Sequence, residues 1–154
     1  MEIVKTRSGK QEANKRFEDL LHKHALRITQ PRLRVLELIS RKNTATSQPD
    51  LEKVLGNDID RVTLYRILNS FELKGILHKI LDLNGTATYA LCSEDCPEHI
   101  HQESHVHFTC SVCNSIYCLN EIKLPPVQLP KDFSMESVAV NVVGICAQCR
   151  LTQV

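Results

Sequence analysis

Seven cysteines carry the most pointed chemistry in this chain of 154 residues, and none of them precedes Cys92. Four form two Cys-x2-Cys pairs, Cys110–Cys113 and Cys146–Cys149, with 32 residues between the pairs. A two-residue gap lets both sulfurs of a pair face one ion from a tight turn. Two such turns complete a tetrahedral thiolate shell, the closed geometry of structural zinc. Binding of this kind is coupled to folding, so the shell staples a domain too small to be held by its own core. Two redox dithiols or an iron–sulfur cluster are the competing readings. Redox pairs are usually single and sit at a helix N-terminus. Both pairs here follow strand-like segments, so structural zinc on Cys110, Cys113, Cys146 and Cys149 is the expectation.

The remaining cysteines, Cys92, Cys96 and Cys118, share their half of the chain with His99, His101, His105 and His107, and His78 lies just before it. In an extended segment His105 and His107, two residues apart, point the same way. Cys96, His99 and His101 surround Pro97 and read either as an accessory site or as solvated linker residues. Cys118 reads equally as a ligand or as a buried strand cysteine. His22 and His24 fall on a first helix as surface or core residues.

The elements that must position these groups divide the chain. Residues 1–80 hold 16 Lys and Arg against 10 Asp and Glu, a balance of +6; residues 81–154 hold 3 against 8, a balance of −5. A basic half joined to an acidic half suggests that only the first meets a polyanion. In that half Ala13, Phe17, Leu20, Leu21 and His24 lie on one helical face. Thr29-Gln30-Pro31 starts a second helix, running to about Arg41 with Leu33, Leu36 and Ile39 inward. Ser47-Gln48-Pro49-Asp50 resembles a capping box opening a third. A fourth, from about Asp60 to Lys74, ends at Gly75. Its stripe is Leu64, Ile67, Leu68 and Phe71. Extended runs at 76–83 and 86–91 then flank Asn84-Gly85, a strong hairpin signal. Helices followed by a two-stranded hairpin are the order of a winged helix-turn-helix.

Beyond a linker at 92–102, residues 105–110, 115–119 and 134–145 read as strands. Three prolines at 125, 126 and 130 leave room for a short helix at most. The expected architecture is α+β: a winged-helix domain at 1–91, the linker, and a small αβ dimerisation domain at 103–154 stapled by a four-cysteine zinc site. No run of 18 apolar residues suggests a transmembrane helix, and no apolar h-region marks an export signal. A cytoplasmic protein with no membrane association is expected.

The outward face of the fourth helix suits a double-stranded DNA major groove. Arg61 and Arg66 offer guanidinium forks to phosphate or guanine, and Tyr65 an apolar face to a thymine methyl. Arg27, Arg32 and Arg34 are placed for phosphates, which supply affinity rather than sequence.

Three motifs in order carry a resemblance: Leu26-Arg27-Ile28-Thr29-Gln30-Pro31-Arg32; Val62-Thr63-Leu64-Tyr65-Arg66-Ile67-Leu68; and His105-Val106-His107 three residues before Cys110. With the terminal Cys-x2-Cys they resemble the ferric uptake regulator family over residues 10–150. The resemblance implies a homodimeric, metal-activated repressor that binds operator DNA through its winged helix and dimerises through its second domain. A sensory metal at the hinge would set the angle between the reading heads. Thr63, Tyr65 and Arg66 fall in the family's DNA-contacting motif. In the zinc-uptake branch a histidine after the recognition helix and a cysteine ending the wing are ligands, and His78 and Cys92 match them. The sensory set implied is His78, Cys92, His105 and His107, with Cys118 a fifth candidate.

Hairpin register tests that set. A two-residue turn at Asn84-Gly85 pairs Leu77 with Cys92 and turns His78 to the other face. Co-ligation needs a three-residue loop or a Cys92 beyond the ladder. The chain also departs from iron- and peroxide-sensing members. Residues 43–46, before the third helix, contain no histidine, and Cys118 stands where a glutamate is usual. Soft thiolates favour zinc over ferrous iron as the second, regulatory divalent metal, with iron or manganese as alternatives. A zinc hydrolase or thiol oxidoreductase is the rival class, but no His-Glu-x-x-His, nucleophile elbow or phosphate loop is present. No enzymatic activity is expected.

Overall fold

The computed structural model describes residues 7–92, 105–124, 126–136 and 138–152. Cys96, His99, His101 and the linker beyond Cys92 lie outside the described residues. The order is α1 (Arg7–Lys23), α2 (Gln30–Ser40), β1 (Thr46–Ser47), α3 (Gln48–Leu55), α4 (Arg61–Leu73), β2 (Leu77–Leu81) and β3 (Ala87–Leu91). A second unit follows with β4 (His105–Cys110), β5 (Ile116–Lys123), β6 (Val140–Gly144) and α5 (Ala147–Thr152). The fold is α+β. No described helix is long and apolar enough to cross a membrane.

The helical periodicity has a direct packing consequence. Phe17 and Leu21 of α1, Leu33, Leu36 and Ile39 of α2, Leu51 and Leu55 of α3, and Leu64, Ile67, Leu68 and Phe71 of α4 converge in one buried core with Leu77 and Tyr89. Burial of such side chains is worth about 1.5–3 kcal/mol each, and it orients α4 with its opposite face outward. Two helix starts are fixed by side chains: Ser47 Oγ accepts from Asp50 N at 3.2 Å, and Asp60 Oδ1 accepts from Thr63 N at 3.0 Å. Such caps satisfy amide groups that the helix itself leaves unbonded. Thr29 starts α2 in extended conformation without a side-chain cap.

The wing differs from the two-residue turn. Leu77 pairs with Leu91, His78 with Ala90 and Leu81 with Ala87. Asp82 N donates to Thr86 O at 3.0 Å, enclosing a three-residue loop, Leu83–Gly85. The reason is Asp82: its Oδ1 accepts from Asn84 N at 2.8 Å and Thr86 N at 2.7 Å. Such an aspartate turn uses the side chain in place of a backbone acceptor, with Gly85 at φ 79° as the left-handed residue. Two short elements escape the periodicity. β1 pairs Thr46 with Tyr89 and makes the wing a three-stranded sheet, β1-β3-β2. α5 carries Cys149 in its first turn, with Cys146 just before it. The strand expected over 134–145 forms only at Val140–Gly144, and no helix occupies the described residues of the proline segment.

In the second unit β4 lies between β5, antiparallel, and β6, parallel. The wing sheet also meets this unit. Its even-numbered residues Ile80 and Ala90 bury against Ile116, with Ala45 and Cys118 packed alongside, and Ala45 N donates to Ile116 O at 2.9 Å. The even face is thus covered by β5, and the odd face by helices at Leu77, Tyr89 and Leu91, with Lys79 and Leu81 left exposed.

Two helix ends are open to direct test. α1 stops with Leu26 N donating to Leu21 O at 2.8 Å and Ala25 N to His22 O at 3.0 Å, which holds Ala25 at φ 52°. Left-handed backbone costs a Cβ-bearing residue about 1–2 kcal/mol, partly offset in glycine by its larger unfolded entropy. Ala25 is exposed, so Ala25→Gly should raise stability by about 1 kcal/mol in denaturant titration; a loss would refute the strain. The Asp60 carboxyl is held below its usual 3.8 by hydrogen bonds from the side chain and then the backbone of Thr63. Its cap is present at neutral pH and disappears only as pH falls through that lowered value. An NMR titration of Asp60 at or above 3.8 would refute it.

Candidate metal centres and nucleic-acid interface

The parallel pairing of β4 and β6 brings the two cysteine pairs together. Cys110 ends β4 opposite Gly144 of β6. The chain after Cys110 turns tightly, Asn114 N donating to Cys110 O at 2.9 Å with Asn114 at φ 58°. Ser111 N and Oγ both donate to Gly144 O, at 2.8 and 3.1 Å, and lock this turn to the end of β6. Phe108 crosses the same point: a Cβ at Gly144 would stand 3.0 Å from the ring. Beyond Gly144, Cys146 precedes α5 and Arg150 N donates to Cys146 O at 2.9 Å. Only this second pair opens a helix; the first lies in a strand-to-strand turn.

The four ligand sulfurs, Cys110, Cys113, Cys146 and Cys149, lie within 4.8 Å of one another. Sulfurs about 2.3 Å from one tetrahedral ion stand roughly 3.8 Å apart, and Cys113 Sγ lies 3.8 Å from Cys146 Sγ. Protonation is prepared unevenly. Cys110 is lowered to about 6 by backbone N–H groups of Cys113 and Cys146, the latter donating to its Sγ at 3.3 Å. Cys146 is lowered chiefly by the Cys149 backbone N–H. Cys149 is raised to about 12 by its side-chain hydrogen bonds with Cys146 and Cys113. Two sulfurs thus favour the thiolate and one retains a proton that an ion must displace. The donor set fits zinc. Tyr117, raised to about 12 mainly by its hydrogen bond to Cys146, is an outer neighbour of the shell. Only its place on a strand beside the first pair hinted at that in the sequence.

A second group forms where the wing meets the other unit. The even face of β2 presents His78, and β4 and β5 present His107 and Cys118 as direct cross-strand neighbours. Ligand atoms of His78, His107 and Cys118 lie within 4.8 Å of one another. His78 Nε2 is 3.3 Å from Cys118 Sγ, and the rings of His78 and His107 stack with centroids 5.4 Å apart. Both histidines are nearly solvent-inaccessible, at 5% and 2%. Nitrogen and sulfur on one tetrahedral ion, bonded at roughly 2.0 and 2.3 Å, stand about 3.5 Å apart, close to the distance seen. Cys92 lies just past β3, its Sγ 3.6 Å from the other ring nitrogen, Nδ1 of His78. The three-residue wing loop puts it on the His78 face. His105 opens β4, but its side chain lies outside the described residues.

On α4, Arg61, Val62, Tyr65, Arg66 and Asn69 are exposed along one face. Arg61, itself exposed, lies 3.4 Å from half-buried Glu52. Half-buried Thr63 bonds to its own helix start, its hydroxyl donating to Asp60 Oδ2. Arg27 is exposed and Arg32 Nη1 donates to Arg27 O at 2.7 Å, bracketing the start of α2. Arg34 is paired with Glu37 at 2.8 Å, which occupies a guanidinium expected to meet phosphate.

Residues 23–143 match the model of the ferric uptake regulator family. The chain is 32% identical over 142 residues to the ferric uptake regulation protein of Klebsiella pneumoniae, covering 86% of each. It is 29% identical over 133 residues to that of Legionella pneumophila, covering 81% of this chain and 92% of the relative. A solved zinc uptake regulator complexed with zinc and DNA is similar at a TM-score of 0.67 and 23% identity, covering 97% of this chain and 99% of that one. That identity speaks to the fold alone, and the curated names are those of iron regulators. The chain belongs to the ferric uptake regulator family and is a transcriptional regulator rather than an enzyme.

Proposed function

We propose that this protein is a zinc-responsive repressor that binds operator DNA as a homodimer. The observation that carries the reading is the group of buried His78 and His107 with half-buried Cys118, built from the wing and from the second unit at once. An ion held by residues of both units favours the one arrangement in which they converge, and so shifts the population of hinge geometries. The sensory region comprises His78, His107 and Cys118, with Cys92 beside His78 and His105 two residues before His107. A thiolate among imidazoles suits zinc better than ferrous iron, which favours imidazoles with a carboxylate, or manganese, which favours oxygen donors. The Cys110, Cys113, Cys146 and Cys149 shell holds a separate, structural zinc. Zinc sufficiency would then repress its targets. The division into a DNA-reading part at 1–91, a hinge at 92–102 and a dimerising part at 103–154 belongs to the same reading.

DNA binding draws support from the exposed Arg61, Tyr65 and Arg66 face, with Arg27 and Arg32 as flanking phosphate partners. Dimerisation draws support from apolar side chains left open on one chain, among them Val142, Val143, Leu129 and Phe133, the last 70% exposed. Apolar side chains exposed in this number suit burial against a second copy of the chain. The iron names of the curated relatives favour a second reading, an iron- or manganese-responsive regulator with the same architecture.

One binding experiment separates the two. Double-stranded DNA selected from a random pool is titrated with protein carrying chelator, zinc, ferrous iron or manganese. Zinc alone should restore tight binding after chelation; restoration only by iron or manganese gives the second reading, and binding indifferent to every metal refutes both. Arg66→Ala should cost about 1–3 kcal/mol of discrimination at one base position, whereas a uniform loss across sequences makes Arg66 a phosphate contact.

A further inference from the structure

We propose that Val62 reads the C5-methyl group of an operator thymine, while Arg61 beside it meets a backbone phosphate rather than a base. The inference rests on the DNA-binding reading above and deepens it at one place on α4. Its basis is the direction in which each side chain leaves the helix. Leu64, Ile67, Leu68 and Phe71 are the buried stripe of α4, so the midline of the outward face lies opposite their mean direction. At the roughly 100° per residue of an α-helix, Val62 and Leu73 fall within about 10° of that midline and Asn69 within about 30°. Arg66 stands about 30° to one side, whereas Tyr65 and Arg61 stand about 70° and 110° to the other. The Arg61 guanidinium accordingly leans toward α3, 3.4 Å from Glu52. An arginine on the flank of a helix in a groove faces the sugar–phosphate wall, and a residue on the midline faces the base edges.

Position along the axis favours Val62 over the other midline residues. It is the second residue of α4, whose start Asp60 fixes by accepting from Thr63 N at 3.0 Å. Recognition helices touch base edges with their N-terminal residues, and Leu73 lies roughly 16 Å further along the axis. Val62 is 57% exposed, and its side chain ends in two methyl groups with neither donor nor acceptor. On the major-groove edges of the four bases, the feature that matches it is the thymine C5-methyl. Against guanine, adenine or cytosine the same methyls would strip water from a polar edge without replacing its hydrogen bonds. A β-branched side chain in a helix keeps nearly one χ1 rotamer, so both methyls are held where α4 aims them.

The test titrates the full-length protein, with the metal that restores binding, against a duplex selected from a random pool. Each thymine is replaced in turn by uracil, which lacks only the methyl. Wild type should lose about three- to fivefold in affinity at the thymine facing Val62, the worth of one buried methyl. Val62→Ser, which removes both methyls, should bind thymine and uracil equally there and keep its sensitivity at any thymine facing Tyr65. Arg61→Ala should weaken every sequence alike and lower the slope of log affinity against log salt by about one, with the uracil pattern unchanged. Both positions are exposed, and circular dichroism checks that each variant is folded. A Val62→Ser protein with an unchanged uracil pattern, or a wild type indifferent to every uracil, overturns the thymine assignment. Loss of preference at one base pair in Arg61→Ala overturns the phosphate assignment. A folded wild-type chain that selects no sequence from the pool refutes the DNA-binding reading itself, a different result from either.

Discussion

The register of the β2–β3 hairpin is the constraint on which the interdomain arrangement depends. Side chains alternate along a strand, so a slip of one residue turns every one of them to the other face. With Leu77 opposite Leu91, the odd residues Leu77, Tyr89 and Leu91 enter the helical core while His78, Ile80 and Ala90 turn to the second unit. Lys79, also odd, stays outside that core, 3.2 Å from Glu72. The loop that fixes the register is held by one carboxylate, Asp82, which accepts two backbone N–H groups. An aspartate at the wing tip, away from the metal ligands, thereby decides which of them can meet.

The second unit answers the same problem with fewer apolar residues. Its sheet has three strands, and many side chains of β6 are exposed on a single chain. What holds it is the parallel pairing of β4 and β6, which superimposes the ends of two distant segments and so gathers four sulfurs. A metal ion closing these four thiolates would supply cohesion that the small core does not. The two candidate metal centres differ in kind for this reason. The four-sulfur shell lies within one unit and can only stabilise it. The His78, His107 and Cys118 group spans two units and can report on their relation.

Charge and helix ends complete the division of labour. The exposed basic and aromatic face of α4 is available because the opposite face is wholly apolar and buried. Asp60 fixes where that helix begins, and with it the height at which Arg61, Tyr65 and Arg66 project. Arg34 and Arg41 both turn to Glu37, so the basic excess of the first half is partly neutralised away from that face.

The sequence by itself determined the local and the periodic. Helical stripes such as Leu64, Ile67, Leu68 and Phe71, the stop at Gly75 and the start at Ser47 follow from backbone propensity and apolar spacing. The pairing of two Cys-x2-Cys motifs follows from sulfur chemistry, and the three ordered motifs pointed to the family. Only the tertiary structure decided the rest. The wing loop depended on hydrogen bonds to Asp82 competing with a favourable Asn-Gly turn, a difference of one residue that periodicity does not resolve. β1 and α5 are too short to leave a periodic trace. Spacing alone does not place Cys118 beside either histidine; β4 and β5 set it across from His107, and the wing brings His78 to its sulfur. Spacing along a chain fixes which face a residue occupies, but which faces meet is settled by packing between elements far apart in sequence.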